Sequence, residues 1–513
     1  MQINSIQINA ASINTTMKPF RHASFVLTAL LATSLAGCAS MHGLQPQGEL
    51  TQADHLASRH SLAGVKLTPA AWPRSDWWKA LGDPQLDALI DEALAGNPTL
   101  SAADARVRVA LAQAGEQDAA RKAKVNAQAQ YSGIRIPATV APEPFGGHYL
   151  GVEILSLSVG YAPDLWGGKR AAWEAKVDQA HAAEVDAQAA RLTLSSNIAQ
   201  AYVELGHASM LEDVARHELE RARATQKLTA QRVKAGIDND IQLRQTDAAV
   251  AAAQGGVQAT QEQAALLRAT LAALVGQGPD RGLAIVRPQA LTAPALELPT
   301  DLPSDLLARR PDIVAARWRV EASERGIKAA KAQFYPSVNL SAAVGLASAS
   351  LGTLFELPSR YLQLGPAISL PIFDGGRLRS GLAERDADYD IAVAQYNQAL
   401  VDALHQVAEQ VITLRAIDAQ IATQQQALDA AQSAYDLGTK RYRSGVSAYL
   451  DVLGVQQPLF RAQQGLADLH AQRVIASVKL VQSLGGGFEP DGSLPQPPAS
   501  NSAARASAPA MVR

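Results

Sequence analysis

Leu165-Trp166-Gly167-Gly168-Lys169 and Phe373-Asp374-Gly375-Gly376-Arg377 are two versions of one phrase: an apolar lead, a glycine pair, then a base that opens a long proline-poor run. Three more landmarks recur in the same order at a nearly constant offset of about 210 residues. Asn97-Pro98 answers to Arg310-Pro311, and Arg232-Val233-Lys234-Ala235-Gly236-Ile237 to Arg441-Tyr442-Arg443-Ser444-Gly445-Val446. Val275-Gly276-Gln277-Gly278 answers to Leu484-Gly485-Gly486-Gly487. The chain is therefore a tandem repeat, each half reading helix, paired strands, very long helix, short turn, long helix.

The long segments after each glycine pair carry a seven-residue rhythm. Val393, Leu400, Val407, Leu414, Ile421, Leu428, Tyr435 and Tyr442 fall every seventh position, and Val446, Leu453, Phe460, Ala467, Val474 and Val481 continue it past the turn. The first half shows the same in Leu243, Val250, Val257, Ala264 and Leu271. A strict heptad keeps one seam against a neighbour only when helices wind left-handed around each other. Proline is absent from about 169–276 and occurs once, as Pro458, in 375–484. A helix from Lys169 to Lys234 would extend roughly 100 Å, far beyond the need of a globular domain.

Between these helices the period drops to two. Val338, Leu340, Val344 and Leu346 alternate with Asn339, Ser341, Ala343 and Gly345, and Leu362, Leu364, Ile368 and Leu370 with Gln363, Gly365, Ala367 and Ser369. Such strands suit one lipid face and one wet face; a half-buried soluble sheet would show the same alternation. In the first half Ala127, Ala129 and Tyr131 alternate with Gln128, Gln130 and Ser132. The next strand changes parity, from Leu150, Val152, Ile154 to Leu157, Val159, Tyr161, and a bulge near Ile154–Leu155 is the expected cause. Two hairpins cannot close a barrel, so a membrane role requires several copies.

Composition narrows the class. The 513 residues are 47% hydrophobic yet 5% aromatic, a balance of Ala, Leu and Val that suits long helices. Net charge is −2 with 18% charged residues, which gives no field directed at nucleic acid. No apolar run after residue 38 reaches the ~18–20 residues of a spanning helix, so any bilayer crossing must be by strands. The ten histidines show no metal-ligand spacing, and Gly485-Gly486-Gly487 reads as a helix stop rather than a phosphate loop. No nucleophile or metal cluster marks a hydrolase, and no enzyme or cofactor is expected.

The only cysteine, Cys38, excludes an intrachain disulfide. Lys18 and Arg21, an apolar stretch from Phe25 to Ala36, and Leu35-Ala36-Gly37-Cys38 form a signal peptide with a lipobox. Cleavage before Cys38 would leave a thiol and a new amino group for acylation. Ala39 follows instead of Asp, so the inner-membrane retention signal is missing. Met17 begins a well-formed signal and is the expected start.

The text Trp77-Trp78, Leu81-Gly82-Asp83-Pro84-Gln85-Leu86 and Asn97-Pro98 resembles the outer-membrane factor family, the TolC/OprM-like ducts, and within it the NodT-type lipoproteins. The likeness continues through Leu302-Pro303-Ser304-Asp305-Leu306-Leu307, Arg309-Arg310-Pro311-Asp312-Ile313, Phe334-Tyr335-Pro336-Ser337, Pro371-Ile372-Phe373-Asp374-Gly375-Gly376-Arg377 and Arg441-Tyr442-Arg443-Ser444-Gly445-Val446, over about residues 72–487. It implies a mainly α chain with a membrane β-barrel: a homotrimer whose copies each give four strands to a twelve-stranded barrel, continuous with a long periplasmic α-helical barrel. The implied domains are a signal peptide 1–37, a lipidated linker 38–74, and a first repeat 75–290 with hairpin 125–163 and long helices 168–276. A second repeat covers 291–487, with helix 311–333, hairpin 337–372 and long helices 375–484, and a flexible tail 488–513 follows.

The resemblance also implies a role: the outer-membrane channel of a tripartite efflux system, passively conducting small molecules from a periplasmic adaptor and an RND-type (resistance–nodulation–division) or MFS-type (major-facilitator) pump. Arg232, Gly236, Arg441, Arg443 and Gly445 would lie at the periplasmic tip and meet the adaptor; Arg232 and Arg441 would equally serve as C-terminal helix charges. Ile241 and Leu450 are the candidate apolar gate. The aspartate and arginine usual on the gate helix are replaced by Gly454 and Gln457, so Asp451, Asp238, Asp240, Arg244 and Asp247 are candidates for a substitute network, or plain solvated charges. A type I secretion duct shares this frame. A periplasmic coiled-coil scaffold or adaptor would share the helices but not the long tandem repeat.

Overall fold

Proline-free stretches rich in Ala, Leu, Gln and Glu favour uninterrupted helix, and two such stretches reach 67 residues each. A computed structural model describes residues 41, 43–51, 66–67, 72–140, 146–289, 291–292, 297–298 and 302–489. The helices are α1 (Pro84–Gly96), α2 (Pro98–Ala119), α3 (Gly168–Lys234), α4 (Asp240–Val275), α5 (Leu302–Arg309), α6 (Pro311–Ala332), α7 (Arg377–Arg443) and α8 (Tyr449–Ser483). The strands of the larger sheet are β1 (Lys124–Arg135), β2 (Tyr149–Tyr161), β3 (Ser337–Ser348) and β4 (Arg360–Ser369), and the short segments Lys66–Leu67 and Glu297–Leu298 pair in parallel as a separate two-stranded sheet. The order α2-β1-β2-α3-α4 repeats as α6-β3-β4-α7-α8. Both long helices have 67 residues and their return helices 36 and 35, so the duplication is kept almost to the residue. Cys38 and the signal region lie outside the described residues.

Two compact units emerge, one holding residues 123–168 and 330–384, the other the remaining helices. The first is a four-stranded antiparallel sheet in the order β1-β2-β3-β4. Among the described residues, β1 pairs only with β2 and β4 only with β3, which leaves both outer edges open. The register is unbroken: Lys124 stands opposite Gly160 and Arg135 opposite Tyr149, with every intervening pair in step. This corrects the bulge expected at Ile154–Leu155. The strand keeps its pleat, and it is the chemistry of its two faces that changes there.

In the helical unit the heptad seam is most clearly buried along α7, whereas Val446 just past the second turn is exposed. Val393, Leu400, Val407, Leu414 and Tyr442 are buried, while Ile421, Leu428 and Tyr435 between them are half-buried in the single chain. One core gathers Trp77, Trp78 and Leu81 with Leu86, Leu89 and Ile90 of α1, Ile198, Tyr202 and Leu205 of α3, Leu267 and Leu271 of α4 and Val474 and Val478 of α8. Each such fully buried side chain contributes roughly 1.5–3 kcal/mol. Asp83 caps α1 through the Gln85 amide, and its other oxygen accepts the Tyr202 hydroxyl at 2.8 Å, which ties the capping residue to the core.

Part of the expected N-terminal linker is docked. The Gln47 and Gly48 amides donate to Asp390 Oδ1 at 2.8 and 2.6 Å, the Thr51 amide donates to Asn397 Oδ1, and Leu50 packs on the Val393–Leu400 core. At the other end Gly485, Gly486 and Gly487 all have positive φ, and Phe488, where the tail was expected to begin, is buried. Residues 490–513 lie outside the described residues.

Candidate functional site

The turn between α3 and α4 and the turn between α7 and α8 close in the same way. Gly236 and Gly445 adopt φ of 74° and 79°, a conformation that costs glycine nothing and other residues about 1–2 kcal/mol. The Ile237 amide then donates to Arg232 O and the Gly236 amide to Val233 O; Val446 to Arg441 O and Gly445 to Tyr442 O repeat the pattern. This is the Schellman closure, and it explains the Arg-x-x-x-Gly spacing: the arginine carbonyl accepts from the amide five residues on, the one that follows the glycine.

The arginine side chains do not match. Arg232 is buried, with its Nε and Nη2 donating to the two oxygens of Asp238 at 2.7 and 3.1 Å and its Nη1 to Tyr442 O at 2.8 Å. Its guanidinium lies 4.4 Å from the Tyr442 ring centroid, and the Tyr442 hydroxyl donates to Asp238 at 2.7 Å and meets Thr229 Oγ1 at 2.8 Å. The hydrogen bond from Arg232 holds the Asp238 carboxyl below its usual range against the opposing effect of burial, and the same bond raises the guanidinium further. Arg441 and Arg443 are exposed. The two arginines, equivalent in the repeat, thus differ in setting: Arg232 is buried in a clamp and Arg441 is exposed. The signal was readable: Asp238 in the first turn corresponds to Ser447 in the second, so only one arginine has an acid six residues on.

Of the residues expected near a gate, Ile241 and Leu450 are 69% and 63% exposed on the single chain. Ile237 and Val446 expose similar apolar surface beside them. Asp451 accepts the Ala448 amide at 2.9 Å and so caps α8. Asp240 is an exposed acid in the first turn of α4. Arg244 pairs with Asp247 at 3.2 Å, and Asp247 also accepts Gln226 Nε2 of α3 at 2.8 Å. Asp238 is no solvated charge but the acid of the buried clamp. Gly454 and Gln457 are exposed, and α8 runs on through Pro458, whose missing N–H leaves the Gly454 carbonyl without its helical donor.

The sheet unit presents two chemically opposite faces. Facing pairs of the register place Val125, Ala127, Ala129, Leu155, Leu157, Val159, Leu340, Val344, Leu346, Leu362, Leu364 and Ile368 on one side. Asn126, Gln128, Gln130, Ser156, Ser158, Asn339, Ser341 and Gln363 line the other. Trp166 stacks on Tyr335 at 4.9 Å at one end of the apolar band, and the Tyr131 and Tyr149 hydroxyls meet at 3.1 Å near the other. An apolar band between aromatic girdles is the build of a strand set that crosses a bilayer. No helix among the described residues is long and apolar enough to do so.

Among the described residues no group of three or more His, Cys, Asp or Glu is placed to hold a metal ion. The family model described as "Outer membrane efflux protein" matches residues 89–277 and 302–486, one segment in each half. The chain belongs to this family. It is 39% identical to the fusaric acid resistance protein FusA of Burkholderia cepacia over 70% of this chain and 69% of that one. It is 31% identical to the multidrug resistance outer membrane protein MdtP of Escherichia coli K12, over 83% and 89%. The crystal structure of the outer membrane protein VceC of Vibrio cholerae superposes with a TM-score of 0.76 at 36% identity, covering 82% of this chain and all of that one. This efflux protein therefore has the TolC-like channel fold, mainly α with a membrane β-barrel, and it serves efflux as an outer-membrane channel. Members of its family are channels that work as trimers with adaptors and inner-membrane pumps.

Proposed function

We propose that this chain is one third of a homotrimeric exit duct, lipid-anchored at Cys38, through which a periplasmic adaptor and an RND- or MFS-type pump expel small organic molecules. One observation carries the reading: a sheet with an apolar outer face whose β1 and β4 edges are both open within the chain. Unpaired backbone is intolerable in hydrocarbon, so the edges must meet those of other copies, and three sets of four strands give a closed barrel. Small organic cargo is supported by the names of relatives, which speak of fusaric acid, multidrug resistance and, for a 33% identical protein of Pseudomonas aeruginosa, pyoverdine export.

On this reading the exposed Arg441 and Arg443, with the Gly236 and Gly445 turns, form the adaptor-facing tip. The exposed Ile241 and Leu450 project into the lumen as an apolar constriction that excludes water and ions until the helices splay. Native mass measurement of the detergent-extracted protein tests the assembly, and planar-bilayer recording tests the pore. A trimer with a low, tip-limited conductance is expected; a stable monomer in water without detergent refutes the reading.

A further inference from the structure

The two faces of the sheet exchange character at the loop end of the β1–β2 hairpin. Ile134, Val152 and Ile154 point to the side that carries Gln128, Gln130, Ser156 and Ser158 lower down, while Tyr131, Tyr149, Arg135 and Glu153 take the side of the leucines. Beyond the bilayer the outside of a barrel meets water, which explains the polar-tipped outer residues. Nothing in that geometry explains apolar side chains on the inside. Ile134 is 61% and Val152 42% exposed in the single chain, so both keep apolar surface free for a partner.

A matching surface lies in the loop between β3 and β4. There Leu351, Phe355 and Leu357 are each exposed by 69–74%, although the loop is ordered by Ser348–Thr353 and Ser359–Thr353 hydrogen bonds. This loop leads into β4, the open edge, and on closure of a barrel β4 can meet only the open β1 edge of another copy. The tip of β1, with Ile134, is then the next copy's structure beside the loop.

We propose that the β3–β4 loop of each copy packs on the inner face of the next copy's β1–β2 hairpin, an apolar contact between copies that narrows the outer mouth of the duct. The inference rests on the closed-trimer reading above and names a contact that this reading does not require. Burial of Phe355 and Leu351 against Ile134 and Val152 removes from water four apolar side chains that the single chain exposes.

Cysteine pairs test it in the full-length, acylated protein in outer-membrane vesicles. Ile134→Cys with Phe355→Cys, and as an independent pair Val152→Cys with Leu351→Cys, are oxidised with copper phenanthroline and run without reductant, while native mass is recorded on the same material. Covalent dimer and trimer bands in either pair are the expected result. A trimer by native mass whose thiols stay free in both pairs, or that cross-links only within one chain, overturns the contact but leaves the duct intact. Absence of a trimer brings down the assembly reading, and the contact with it.

Discussion

Arg232 at the end of α3 donates to the backbone carbonyl of Tyr442 at 2.8 Å, so the first hairpin grips the last turn of α7 in the second. The grip is completed by Asp238, which accepts from both the guanidinium and the Tyr442 hydroxyl. Each chain thereby ties its two hairpin tips together before any neighbour is present.

Removing the guanidinium while keeping the acid leaves a buried, uncompensated charge. Arg232→Ala is expected to lose about 3–5 kcal/mol of local stability, read as at least a hundredfold faster hydrogen exchange at both turns. Arg441→Ala, at an exposed position, should stay within about 0.5 kcal/mol and weaken adaptor binding instead. Equal effects of the two substitutions would contradict a clamp role confined to Arg232.

The clamp also has a pH signature. The folded Asp238 carboxyl is held below its usual value by the Arg232 hydrogen bond. Its contribution is therefore present above the unfolded pKa, near 3.9, and is lost only as pH falls through the lower folded value. Turn protection, corrected for intrinsic exchange, should stay level from neutral pH to about 4 and then collapse; Asp238→Asn should abolish the step. Loss beginning near pH 6 would assign the effect to another group.

Leu450→Ser should raise ion leakage in planar bilayers several-fold, because a hydroxyl wets a constriction that apolar side chains keep dry. Pro458→Ala restores the donor for the Gly454 carbonyl within α8, worth up to about 3 kcal/mol of helix. It should lower the frequency of openings. Unchanged conductance in Leu450→Ser would remove Leu450 from the gate.

Gly486 sits at φ 57° with its missing Cβ directed at Leu192 of α3. Gly486→Ala combines a backbone cost of about 1–2 kcal/mol with a collision in the core. A lower yield of heat-resistant oligomer and a depressed Tm are expected, with single-channel conductance unaltered in the molecules that assemble.

Cys38→Ser should abolish acylation yet leave the trimer able to form, since the barrel closes through strand edges and not through the anchor. Radiolabelled palmitate incorporation measures the first part and native mass the second. A lipidated, globomycin-sensitive species surviving in this variant would remove the lipobox.

Sequence periodicity alone determined the tandem repeat, the long helices, the alternation of the strands and the seam whose Val393, Leu400, Val407, Leu414 and Tyr442 are buried. These are properties of neighbouring residues, and 3.5- and 2-residue periods are written in the chain itself. The Arg-x-x-x-Gly turns were equally legible, because their closure is local. What the sequence left open was settled by partners far along the chain. Arg232 and Arg441 carry the same motif, but only the fold brings Tyr442 to one of them, across 210 residues. The parity change in β2 admitted a bulge until pairing with β1 and β3 showed an unbroken ladder. Register is fixed by hydrogen bonds between strands, and no single strand contains that information.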